Sequence, residues 1–226
     1  MATLDTYKVV HDFFGVNDGN GAAVDVNPFT VKDASPLGAV TVAYVDGAAR
    51  GELAVTMAAD SEIQNVCLYQ GDVLQYDIDN LTQIKFRVKM NAAALTTGSS
   101  FSFGLTGDRN DAIDSIAQSI LFRMVGATST TLVVVETDDG TNETSLVATG
   151  ETLVAAYKDC IINFAEGTGD IRFFIDGQPV ATSTTFDMSS YTGKLQLFAQ
   201  IQKTASANVN GFVLDYVEVR GRDSSV

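Results

Sequence analysis

The chain has no tryptophan, one histidine, two cysteines and three prolines in 226 residues. Each shortage closes off a class of chemistry. With two thiols, Cys67 and Cys160, no disulfide framework can be built, and both sit in apolar strand-like runs where a thiol reads as a small buried hydrophobe. With His11 as the single imidazole, Ser-His-Asp and Cys-His nucleophile systems and most zinc sites hang on one residue. Its setting, an apolar stretch beside Asp12, reads as a packed or interface position. Positive charge is also scarce, with 14 basic against 28 acidic residues and a formal net charge of -14. Such a chain repels a phosphate backbone, so no nucleic acid is expected as a partner. No window approaches the ~18 apolar residues of a membrane helix, and the first residues show no basic segment followed by an apolar one. No membrane and no secretory signal are expected. On that footing the acceptor patterns Asn142-Glu143-Thr144 and Asn80-Leu81-Thr82 read as chance.

What is present is an apolar fraction of 46%, enough for a sizeable core at this length. From about Val40 onward, short segments alternate apolar and polar residues at the period of two that half-buried strands require. The clearest runs from Ile84 to Met90, with Ile84, Phe86, Val88 and Met90 on one face and Lys85, Arg87 and Lys89 on the other. Similar runs cover 53–57, 100–105, 131–135, 160–164, 171–175, 194–201 and 212–219. The pattern predicts eleven to fourteen strands, almost no helix, and a sandwich of two antiparallel sheets. Asp139-Gly140 and Asp176-Gly177 fall between strand-like runs and read as hairpin turns. Aspartate supplies 21 of the 28 acids, which suits loops, where its carboxylate bonds nearby backbone amides. Ile113, Ile116, Ala117 and Ile120 have helical spacing, but a loop with at most one helical turn, entering a strand over 119–125, is expected there.

Residues 1–38 differ from the rest. Gly, Asn and Asp crowd 15–21, Pro28 and Pro36 interrupt extension, and yet Val9 to Phe14 is apolar. The expected division is an extended N-terminal arm over 1–38 and one sandwich domain over 39–226. The arm packs either on its own sandwich, as a first strand and a long loop, or on a neighbouring subunit.

Several segments resemble known families. Phe173-Phe174-Ile175-Asp176-Gly177-Gln178-Pro179-Val180 and Leu214-Asp215-Tyr216-Val217-Glu218-Val219 resemble the penultimate hairpin and last strand of concanavalin A-like, or laminin G-like, lectin and glucanase domains. Val9-Val10-His11-Asp12-Phe13-Phe14-Gly15-Val16, with Phe101, Gly104, Leu105 and Thr106, resembles tailed-phage virion proteins on the same jelly roll. The resemblance implies an all-β, concanavalin A-like jelly-roll sandwich and a non-enzymatic capsid decoration protein that stabilises the outer capsid surface. It implies the major capsid protein and further copies of itself, as a homotrimer, for partners, and the virion surface, after synthesis in the host cytoplasm, for location. The alternative is a lectin-like module, on the phage surface or a fibre, with surface glycans as partners. The matched residues are core and turn positions, so no catalytic or cofactor-binding residue is carried over, and no cofactor is expected.

A glucanase of this fold places Glu-x-Asp-x-(x)-Glu on one strand, since retaining hydrolysis wants carboxyls roughly 5 Å apart. Glu136-Thr137-Asp138 begins that pattern, but Gly140 and Thr141 stand where the second Glu belongs, and Glu143 lies beyond the turn. Asp77 and Asp79 share a face with no third acid and read as a solvated edge. Calcium could be held by loop oxygens at Asn17-Asp18-Gly19-Asn20, Asp108-Arg109-Asn110-Asp111 or Asp138-Asp139-Gly140-Thr141-Asn142, each equally well read as a turn, so no metal ligand is assigned. Tyr69, Tyr76 and Tyr191 stand in loop-like surroundings and are the aromatic candidates for a sugar platform that tryptophan would otherwise supply. The expected role for each is packing.

Overall fold

The computed structural model describes residues 7–13, 28–45, 48, 51–204, 207 and 209–222. Sixteen strands lie among them: β1 (Tyr7–Asp12), β2 (Thr30–Asp33), β3 (Thr41–Tyr44), β4 (Leu53–Thr56), β5 (Gln64–Tyr69), β6 (Tyr76–Asp77), β7 (Leu81–Met90) and β8 (Ser99–Thr106). The second half supplies β9 (Ser119–Val125), β10 (Leu132–Asp138), β11 (Glu143–Thr152), β12 (Lys158–Asn163), β13 (Arg172–Ile175), β14 (Gln178–Val180), β15 (Lys194–Lys203) and β16 (Gly211–Gly221). Helical structure among the described residues is limited to 3-10 turns at Ile78–Asn80 and Ile113–Ser115.

The strands form two antiparallel sheets, in the orders β14-β13-β12-β7-β16-β4-β3 and β11-β10-β9-β8-β15-β5-β2. β1 adds to β16 in the first sheet and β6 to β15 in the second. The sandwich of two antiparallel sheets expected from the alternating pattern, and the jelly roll that the resemblance implies, are what the chain builds. The described parts of the 1–38 segment enter both sheets, β1 through β16 and β2 through β5. Phe13 and Phe29, at the ends of that segment's described parts, are buried and stack at 6.1 Å.

The alternation reads directly onto the layers. Ile84, Phe86, Val88 and Met90 point inward with at most 1% exposure, while Lys85, Arg87 and Lys89 face out. The outward cations are paired: Lys85 with Asp159 at 2.8 Å, Arg87 with Asp215 at 2.7 Å and with Asp159 at 3.2 Å, Lys89 with Glu52 at 3.3 Å. Tyr157 lies beneath two of them, 4.2 Å from the Lys89 ammonium and 5.0 Å from the Arg87 guanidinium. Between the sheets, phenylalanine rings run in contact from Phe212 through Phe101, Phe103 and Phe122 to Phe173 and Phe186, at 4.5 to 5.3 Å. Each such pair contributes about 0.5–1.5 kcal/mol beyond the area it buries.

Both Asp-Gly turns form. Asp176 and Gly177 have φ of 50° and 77°, the two positive values that a tight two-residue hairpin requires between β13 and β14. At the β10–β11 turn, Asp139 accepts from the amides of Thr141, Asn142 and Ser190 and from the Asn142 side chain. Cys160 and Cys67 are buried free thiols, and burial raises both above the usual thiol range.

Candidate functional site

The outer face of the second sheet gathers the acids of β10 and β11. On β10 the core-facing residues are Val133, Val135 and Thr137, which leaves Glu136 and Asp138 on the other side. The β10–β11 register sets Glu143 directly opposite Asp138, and the β9–β10 register sets Ser119 on its other flank. The turn thus folds the third acid back to the face that Glu136 and Asp138 share. Together with Arg123 and Ser145 they line a cavity of about 190 Å³, walled by Ile116 and Leu146.

Arg123 organises this pocket. It projects from β9, diagonal to Glu136, with 6% of its surface exposed. Its Nη1 donates to Glu136 Oε2 at 2.8 Å, to Oε1 at 3.0 Å and to Asp114 Oδ1 at 2.8 Å. Its buried Nε has no hydrogen-bond partner among the described residues. Burial pushes the Glu136 carboxyl above the usual glutamate range, Arg123 opposes it, and Asp114 and Glu143 raise it further. Glu143 accepts from the Ser145 hydroxyl, and Asp138 accepts from the Gly140 amide at 2.8 Å.

The candidates raised from sequence separate clearly. Glu136, Asp138 and Glu143 come together; Asp77 instead caps the 3-10 turn by accepting from the Asp79 amide at 3.1 Å. Asp139, within one of the three calcium candidates, is saturated by amide donors, which hold its carboxyl down at about 2. At 108–111, Asp111 pairs with Arg109, whose amide donates to Asp72 at 2.8 Å. No group of three metal-ligating side chains occurs among the described residues, and Asn17 to Asn20 lie outside them. Tyr76 is buried, with its hydroxyl 3.5 Å from His11 Nε2, and Tyr191 donates to the Lys194 carbonyl at 2.7 Å. Burial lowers the His11 pKa. Tyr69 lies on the outer face of the second sheet, 5.5 Å from the Arg109 guanidinium. Arg123 was not singled out in sequence; a cation flanked by Phe122 and Met124 is the signal that marks it.

No protein-family model and no curated protein matches this chain. Solved structures do match in fold. The carbohydrate recognition domain of Emp47p is 10% identical, with 90% of this chain and 92% of that one covered, at a TM-score of 0.59. A Bacteroides ovatus mixed-linkage glucan GH16 enzyme, solved with a G4G4G3G product, is 12% identical over 93% and 99%, at 0.65. Bacillus licheniformis β-glucanase is 13% identical over 96% and 98%, at 0.58. These likenesses show the concanavalin A-like, GH16-type jelly roll. They also correct the expectation of a non-enzymatic protein, because two of these three chains are glycoside hydrolases on the same sandwich. That expectation rested on the resemblance to virion proteins and on the absence of a convergent catalytic set, the Glu-x-Asp pattern of β10 lacking its second Glu; the β10–β11 register does bring Glu143 opposite Asp138. The likeness places this chain on a jelly roll shared by a carbohydrate recognition domain and glucan hydrolases.

Proposed function

We propose that the protein recognises carbohydrate in the pocket bounded by β9, β10 and β11. The observation that carries this reading is the convergence of Glu136, Asp138 and Glu143 with Arg123 in one cavity of about 190 Å³. Carboxylates accept from sugar hydroxyls and a guanidinium donates to them, so acids and arginine together satisfy a polyol. Ile116 and Leu146 supply the apolar wall against which ring C–H groups pack, in a chain without tryptophan. The shared sandwich with a carbohydrate recognition domain and with glucan hydrolases supports the reading. The test is a broad glycan array, calcium included, probed with the wild-type chain and with Asp138→Asn/Glu143→Gln. Selective binding that the variant weakens by about tenfold is expected, and a flat wild-type response overturns the reading.

A second reading, glycoside hydrolysis in the same pocket, is favoured by one observation. Burial raises the Glu136 carboxyl above the usual glutamate range in a cavity that also holds the carboxylates of Asp138 and Glu143, and glycoside hydrolysis needs a pair of carboxyl groups. Release of new reducing ends from β-glucans by the wild type, and its loss in Glu136→Gln, is the expected result; equal rates for both overturn it.

Placement on a virion, with the major capsid protein and further copies of this chain as partners, rests on the resemblance of the 9–16 and 101–106 segments. Its test is binding of purified protein to capsids assembled without it; no binding rejects it.

A further inference from the structure

At the middle of the outer face of the second sheet an apolar patch of Leu121, Phe198 and Cys67 points away from the core around Gly104, flanked by the polar Ser102, Gln200, Thr106 and Gln196. Each of the three apolar side chains is nonetheless at most 1% exposed. What covers them is the connection from Gly107 to Gln118, which folds back over the sheet and sets Ile113 and Ile116 on Leu121, Phe198 and Cys67.

The connection is pinned along its length. Its neck closes where the Gly107 amide donates to the Gln118 carbonyl at 2.9 Å, and Gln196 Nε2 donates to the Gly107 carbonyl at 2.8 Å. Its middle is held by Asn65 Nδ2 and Gln200 Nε2, both 2.8 Å from the Asp111 carbonyl, and by the Arg109 amide on Asp72. Its far side is tied to β9 by Arg123 on Asp114. These anchors come from β5, the turn after it, β9 and β15, so the segment lies across the middle of the face.

We infer that this segment bars the sheet face to the interior of a glycan and restricts the site to the terminal residue of a chain. The inference rests on the carbohydrate reading above and gives it a substrate class. Beside β10 and β11 the face opens into the 190 Å³ cavity. Ile116 and Asp114, both from the covering segment, form the wall of that cavity on the side where further sugar units would continue across β9. A single ring fits against Arg123, Glu136 and Asp138, and the units linked to it leave toward solvent without adding contacts.

The experiment is a calorimetric titration of the full chain with the mono-, di- and hexasaccharides of the β-1,3-glucan, β-1,4-glucan, chitin and β-1,4-galactan series. For the series that binds, the expected result is an affinity within about threefold from the shortest to the longest member. A rise of tenfold or more with length overturns the inference while leaving carbohydrate recognition standing. No binding by any member overturns both.

Discussion

Arg123 on β9 and Glu136 on β10 are joined through a single guanidinium nitrogen, 2.8 and 3.0 Å from the two carboxylate oxygens, in a setting where both residues are at most 9% exposed. The pair is the floor of the proposed site, and it is a buried charge pair whose halves are costly to separate. Arg123→Met should therefore destabilise the fold by ~3 kcal/mol, and adding Glu136→Leu should recover most of the loss. Urea denaturation of the three variants checks this cycle. The deficit of Arg123→Met should shrink in acid. A carboxyl whose folded pKa is raised contributes most below its unfolded value of 4.5 and loses that contribution as pH rises through the folded one.

Asp139 titrates in the opposite sense. Amide donors hold its carboxyl down at about 2 against an ordinary 3.8, so its contribution is complete above 3.8 and is lost as pH falls toward 2. Asp139→Asn should flatten the acid limb of the stability curve between those values. An unchanged limb in thermal melts from pH 5 to pH 2 contradicts this assignment.

Lys203 is fully buried at the end of β15, its ammonium 2.6 Å from the Ala58 carbonyl and 2.8 Å from that of Asp60. The Asp60 carboxylate lies at 3.7 Å. Lys203→Met keeps the stem and removes the charge, stranding two carbonyls and a carboxylate, and should cost about 3 kcal/mol in chemical denaturation. Lys203→Arg should not restore the loss, since a planar fork does not fit a point-charge site.

Gln196 satisfies all of its hydrogen-bonding groups. Its Oε1 accepts from the amides of Gln70 and Asp72, and its Nε2 donates to Asp72 and to the Gly107 carbonyl. Gln196→Leu should cost ~3 kcal/mol and loosen the 107–118 segment before the rest of the sandwich. Hydrogen exchange should show faster exchange at Gly107 and Ile116 than in the wild type.

The layers were legible because alternation is local: Ile84 to Met90 dictates its own two faces, and an Asp-Gly pair dictates its own turn. The one-turn loop before β9 was legible for the same reason. Strand order was not, since pairings such as β16 with β7 and β15 with β5 join residues more than a hundred positions apart, and nothing local encodes them. The site was half legible. Glu136 and Asp138 share a face by spacing alone, whereas Glu143 reaches them through a hairpin register that its position beyond the turn conceals. The covering segment did leave a trace. Ile120-Leu121-Phe122 and Leu197-Phe198-Ala199 are apolar on both faces, the pattern of a strand covered twice. Ile113 and Ile116 supply the second cover.

The central claim is that the cavity of Arg123, Glu136, Asp138 and Glu143 is where sugar binds. Its most direct test is a backbone amide NMR titration of the full chain with the tightest ligand from the glycan array. The expected result is shifts confined to Ser119, Arg123, 136–138 and 143–146, abolished in Asp138→Asn/Glu143→Gln. Shifts on the cation-bearing face of β7, or at β13 and β14, with those residues unmoved, would place the sugar elsewhere and contradict the account.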